Sequence, residues 1–126
     1  MNIYARNYLE AKAAYEAAIE MMNEFEENFL AERGYTIKRA FAIENEEEFD
    51  RINLELGYVF ENNGMSAIRY EACEKKVAAE EKLIEFALSI VPDKEKAILH
   101  EAAKTNWKTR QQIIDLALKY EPGKGN

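Results

Sequence analysis

Apolar side chains recur along the first thirty residues at a spacing that alternates between four and three. Tyr4, Tyr8, Ala11, Tyr15, Ala18, Met22, Phe25 and Phe29 make an unbroken a/d stripe over nearly four heptads. No Gly or Pro interrupts residues 3–33, alanine and glutamate are abundant, and Gly34 follows as a stop. The pattern predicts one long helix over 3–33, about 45 Å in length at 1.5 Å per residue. Ala14, Ile19 and Met21 widen the stripe, which favours packing within a bundle over a two-stranded coiled-coil or homodimer seam.

The next segment is ambiguous. Tyr35, Ile37, Phe41 and Ile43 alternate with smaller or polar residues as a strand would, and Ile52, Leu54, Leu56, Tyr58 and Phe60 do the same. The second stretch also fits a helix: Asn45 can cap it, Glu46, Glu47 and Glu48 suit the positive helix end, and Phe49, Ile52, Leu56 and Phe60 form a stripe ending at Asn63-Gly64. Helix is the preferred reading, and a short β-hairpin within 35–60, giving an α+β fold, is the alternative.

Residues 66–91 form a second long helix with two apolar rows, one through Tyr70, Cys73, Val77, Ile84, Ala87 and Val91, the other through Met65, Ile68, Ala72, Ala79, Leu83, Phe86 and Ile90. A helix with two rows packs on two neighbours and belongs at the centre of a bundle. Pro92 ends it. Asp93 is the expected cap of a short helix to about Ala103, and Thr109-Arg110-Gln111-Gln112 matches a capping box before a last helix carrying Ile113, Ile114, Leu116, Ala117 and Tyr120. The fold class is therefore mainly α, a single-domain bundle of four to five helices over 1–121 that closes with a C-terminal helical hairpin. Residues 122–126 read as a disordered tail.

Composition narrows the chemistry. The 126 residues include one His, one Cys, two Ser and three Asp, too few for the usual nucleophile, base and metal-ligand sets. A dinuclear iron bundle needs two Glu-x-x-His pairs, and the single His100 follows an alanine at that spacing. No phosphate-binding glycine loop is present. Cys73, on an apolar row, reads as a small buried hydrophobe. No cofactor or metal is expected, and a non-enzymatic role is favoured over an enzyme built on Glu80 or His100. The lone cysteine requires no oxidising compartment, no apolar run is long enough to span a bilayer, and a cytoplasmic location is expected.

Charge adds two candidate surfaces. The net charge of −7 resolves into −9 over residues 1–91 and +2 over 92–126. Glu16, Glu20, Glu24 and Glu27 follow at 4, 4 and 3 along the first helix, and Glu44, Glu46, Glu47, Glu48 and Asp50 cluster further on. Such rows suit a solvated face, and they equally suit an acidic inhibitor that imitates a phosphate backbone, of the kind phages and mobile elements encode. The C-terminal hairpin resembles a helix-turn-helix in outline, with Lys108, Arg110, Gln111 and Gln112 as types that read DNA, although an acidic protein lacks the expected basic footprint. Tyr4, Tyr8 and Tyr15 form an aromatic patch that suits a partner or a second copy if the bundle leaves it uncovered. The favoured function is a small acidic adaptor or inhibitor acting by protein–protein interaction. The acidic nucleic-acid mimic is the first alternative and the DNA-binding regulator the second.

Overall fold

The computed structural model describes residues 2–35 and 46–120, and these are mainly α-helical. In chain order the helices are α1 (Ile3–Glu32), α2 (Glu46–Asn62), α3 (Met65–Ser89), α4 (Asp93–Thr105) and α5 (Trp107–Lys119). The chain divides into two compact units, one joining Met1–Ala13 to Glu74–Asn126 and the other spanning Ala14–Cys73. Helices α1 and α3 each contribute to both.

The first unit is built on Ala5, Tyr8, Leu83, Ile84, Ala87, Leu88, Ala103, Ile113, Ile114 and Ala117. Four of these ten are alanines, which permit close approach of helix backbones, and Leu83 and Ile114 are the largest side chains fully enclosed. Tyr4 stacks on Phe86 with ring centroids 5.0 Å apart, and Phe86 meets Tyr120 edge-on at 5.7 Å. Asn2 links the two ends of this unit. Its Oδ1 accepts from the Ala5 backbone N–H at 2.8 Å and so caps α1. Its Nδ2 donates to the carbonyls of Ala117 (3.0 Å) and Tyr120 (3.1 Å) at the end of α5.

The second unit has its own core of Phe29, Leu30, Ile52 and Leu56, with Phe25, Tyr35, Val59 and Phe60 packed around it. The aromatic rings of Phe25 and Phe60 lie 5.5 Å apart. Helix α1 ends in a Schellman motif: Gly34 takes φ +81°, its N–H donates to Ala31, and Tyr35 N–H reaches back to the Leu30 carbonyl at 2.8 Å. Arg33, just before that glycine, lies over the Phe29 ring at 3.5 Å and pairs with Glu55 of α2 at 3.3 Å. Gly64, at φ +80°, ends α2, so Asn63-Gly64 is a helix stop and not a hairpin turn.

Several sequence expectations change in detail. Residues 52–60 are helical, so the strand alternative fails for that stretch: Ile52 and Leu56, four apart, are the positions buried, while Leu54 and Tyr58 stay exposed. The alternating stretch from Thr36 to Ile43, together with Glu44, Asn45 and the tail from Glu121, lies outside the described residues. Asp93 does not cap α4. Pro92 occupies that position without a side-chain cap bond, and Asp93 sits in the first turn. The last helix starts two residues before Thr109, because extended Asn106 ends α4 and its side chain accepts from Lys108 N–H (2.9 Å) and Thr109 N–H (3.3 Å). The two rows of α3 are deeply buried only near its C-terminal end, at Leu83, Ile84 and Ala87, joined there by Leu88 from outside both rows, whereas Ile68, Tyr70 and Val77 are exposed. No helix among the described residues is long and apolar enough to cross a membrane.

Replacing Asn2 by alanine removes a helix cap and a buried donor together, and urea unfolding is expected to show a loss of about 2–3 kcal/mol. Asn2→Ser keeps a capping oxygen and should lose less. Asn2→Asp caps α1 but sets a charge against two carbonyl oxygens, so it should be less stable than the serine variant.

Candidate functional site

The most distinctive surface feature of the first unit is an open groove of about 380 Å³. Ala87, Leu88, Ile90 and Val91 at the end of α3 form one bank, Ile113, Leu116, Lys119 and Tyr120 form the other, and Leu99 of α4 completes the lining. Local geometry explains why it is there. Pro92 forces the chain away after α3, and the last hydrogen bonds tighten to Ile90 N–H to Ala87 and Val91 N–H to Leu88, both 3.4 Å. Helices α4 and α5 then return as a hairpin, buried through Ala103, Ile113, Ile114 and Ala117. Leu116, one position before buried Ala117, faces outward at 70% exposure. Ile90 is also exposed, and elsewhere on the hairpin Ile98 and Trp107 reach 71% and 73%. Scattered apolar residues are ordinary on a protein surface, but an aliphatic groove with apolar rims is a feature of binding sites.

A charged fork holds the hairpin against α3. Arg110 Nε donates to Glu80 Oε1 and Nη2 donates to Glu81 Oε1, both at 2.6 Å. Burial alone would lower the basicity of the guanidinium, but the hydrogen bonds to Glu81 and Glu80 and their charges outweigh it and hold Arg110 above its ordinary range. Its contribution is therefore present below the ordinary arginine value and would be lost only in strong base.

The predicted partner-binding residues separate into different environments. Tyr8 is 4% exposed and belongs to the core, whereas Tyr4 stacks on Phe86 and still keeps 39% of its surface exposed. Tyr15 is half-buried beside Met22, Ser66, Arg69, Tyr70 and Cys73 around a shallow hollow of the second unit. Most of the a/d stripe is buried or half-buried against its own chain, which leaves little of it as a seam. Glu16, Glu20, Glu24 and Glu27 are exposed along α1, as are Glu46 and Glu47 on α2, with Glu48 half-buried. That exposure is common to any solvated helix face. In the hairpin, Lys108, Gln111 and Gln112 are exposed, Gln111 bonds Asp115 at 3.0 Å, and Arg110 is engaged by Glu80 and Glu81.

Cys73 is half-buried and His100 exposed, and no group of three or more His, Cys, Asp or Glu among the described residues is placed to hold a metal ion. The groove was missed by sequence reasoning because Leu88, Leu99 and Leu116 were each assigned to a helix, and nothing in their spacing says which rows meet and which stay open. A mainly α-helical bundle is the class that these findings define. Comparison with protein-family models, curated proteins and solved structures returns no match.

Arg110→Ala leaves two carboxylates without their cation, and thermal and urea unfolding should show a loss of about 1.5–3 kcal/mol. Arg110→Lys, which cannot fork, is expected to recover less than half of it. No change in either variant would remove the fork as a structural tie.

Proposed function

We propose that this chain is a non-enzymatic binding protein, an adaptor or inhibitor that acts by holding a protein partner. The carrying observation is the aliphatic groove of the first unit, left open with Leu116 and Ile90 exposed on its two banks. Burying one such side chain contributes about 1.5–3 kcal/mol, so two anchors from a partner supply part of the roughly 4–15 kcal/mol that association costs. The acidic mimic and the DNA reader draw less support. The glutamate row has the exposure of an ordinary solvated face, and Arg110, the strongest candidate for a base contact, is committed to Glu80 and Glu81.

The test uses the full chain as bait in its host with Leu116→Asp and Ile90→Asp as variants. Both positions are exposed, so helicity by circular dichroism should be unchanged, while recovery of a specific partner should fall at least about tenfold, equivalent to 1.4 kcal/mol or more. Equal recovery by the wild-type chain and both variants would sink this reading.

A further inference from the structure

We infer that the groove receives an amphipathic helix of the partner, which inserts two aliphatic side chains one turn apart and sets a carboxylate against Lys119. This rests on the binding role proposed above and specifies its ligand. The dimensions carry the first half. Along α5 and its C-cap the lining runs from Ile113 to Tyr120, seven residue steps or about 10 Å at 1.5 Å per residue. That length matches anchors spaced i and i+4, which lie about 6 Å apart along a helix axis. A free acyl chain could fill the floor of the groove, but it would leave exposed Ile90 and Leu116 wet on the two banks. A helix about 10–12 Å across with its side chains covers both.

Charge complementarity carries the second half. Among the described residues Lys119 is the one charged group lining the groove, it is exposed, and it makes no ion pair with another described residue. The segment 92–126 has a surplus of two positive charges over its acids, against the strongly acidic remainder. An anionic flank on the partner is therefore matched by Lys119, and a basic flank meets an unpaired cation at the groove's rim.

A phage-displayed library of 14-residue helical peptides, randomised at two anchor positions four apart and at four flanking positions, tests this against the full chain with counter-selection on Leu116→Asp. Enrichment of Leu, Ile, Met or Phe at the anchors and of Glu or Asp in the flanks is expected. The best synthetic peptide should bind Lys119→Glu about tenfold more weakly, and its Glu→Lys counterpart should recover affinity for that variant. Enrichment of neutral or basic flanks, absence of charge-swap rescue, or no peptide that distinguishes the wild-type chain from Leu116→Asp overturns the assignment. Decanoate added to the methyl-labelled chain supplies the remaining arm: saturable shifts at Ile90 and Leu116 that block every selected peptide assign the groove to a free carboxylate instead. If host-partner recovery depends on Leu116 while the selection yields basic flanks, the binding role stands and the acidic helix falls. If recovery is indifferent to Leu116 and Ile90, both fall.

Discussion

Asn2 satisfies opposite ends of two helices with one carboxamide. The first N–H groups of α1 need an acceptor and the last carbonyls of α5 need a donor, and a buried helix end without such partners is costly. Asparagine carries both functions on a short side chain, so its oxygen serves Ala5 while its nitrogen serves Ala117 and Tyr120. Ionised aspartate can supply only the cap, and serine has a single O–H donor where asparagine has two N–H groups. The arrangement places Ala5 and Ala117 in the same core, where small side chains allow the backbones to approach. It also holds the Tyr120 backbone at one end of the groove, while the Tyr120 ring packs on Phe86 and Phe86 on Tyr4. The open surface thus depends on a polar contact that is itself buried.

The second constraint on the hairpin is electrostatic and has a consequence for what the surface can do. Arg110 stands where a recognition helix would present a basic side chain, yet its fork is spent on Glu80 and Glu81 of α3. Two carboxylates on successive residues of one helix repel each other, and a guanidinium with two separate N–H directions relieves that repulsion as lysine could not. Apolar burial of Ile113, Ile114 and Ala117 and the charged fork therefore both tie α5 to the rest of the first unit. The positive surplus of the C-terminal segment is correspondingly less available to an external ligand than its residue count implies. Lys119, outside the fork, keeps that availability.

What could be read from the sequence was the periodic part. The stripe from Tyr4 to Phe29 is long enough for its repeat to specify a helix and its inner face, and Tyr8, Ala18 and Phe29 are indeed enclosed. Over 46–62 the spacing of Ile52 and Leu56 with three leading glutamates outweighed an equally regular alternation, since helix burial follows i and i+4. The caps were less legible. Asp93 and Thr109 are good capping types, but Pro92 and Asn106 have the extended backbone that precedes a helix, and side-chain type alone cannot select among neighbours. The Asn2 cap on Ala5 is local, but its contacts with α5 were beyond reach, because Ala117 and Tyr120 lie 115 and 118 residues away. Glu80 pairs with Arg110 across helices, a contact that depends on how α5 meets α3.

The site was illegible for a related reason. Local spacing predicts that Leu116 belongs to a helix with buried neighbours, and Ile113, Ile114 and Ala117 are those neighbours. Whether Leu116 itself is covered depends on whether a fourth element arrives beside α5, and after Pro92 the hairpin turns so that Leu99 reaches the lining while Leu116 stays exposed. Apolar rims on both banks weaken solubility and invite association. A net charge of −7 offsets that tendency between identical copies by mutual repulsion. Acidity and the open groove are thus compatible in one molecule, since net charge opposes self-association while the apolar rims stay exposed.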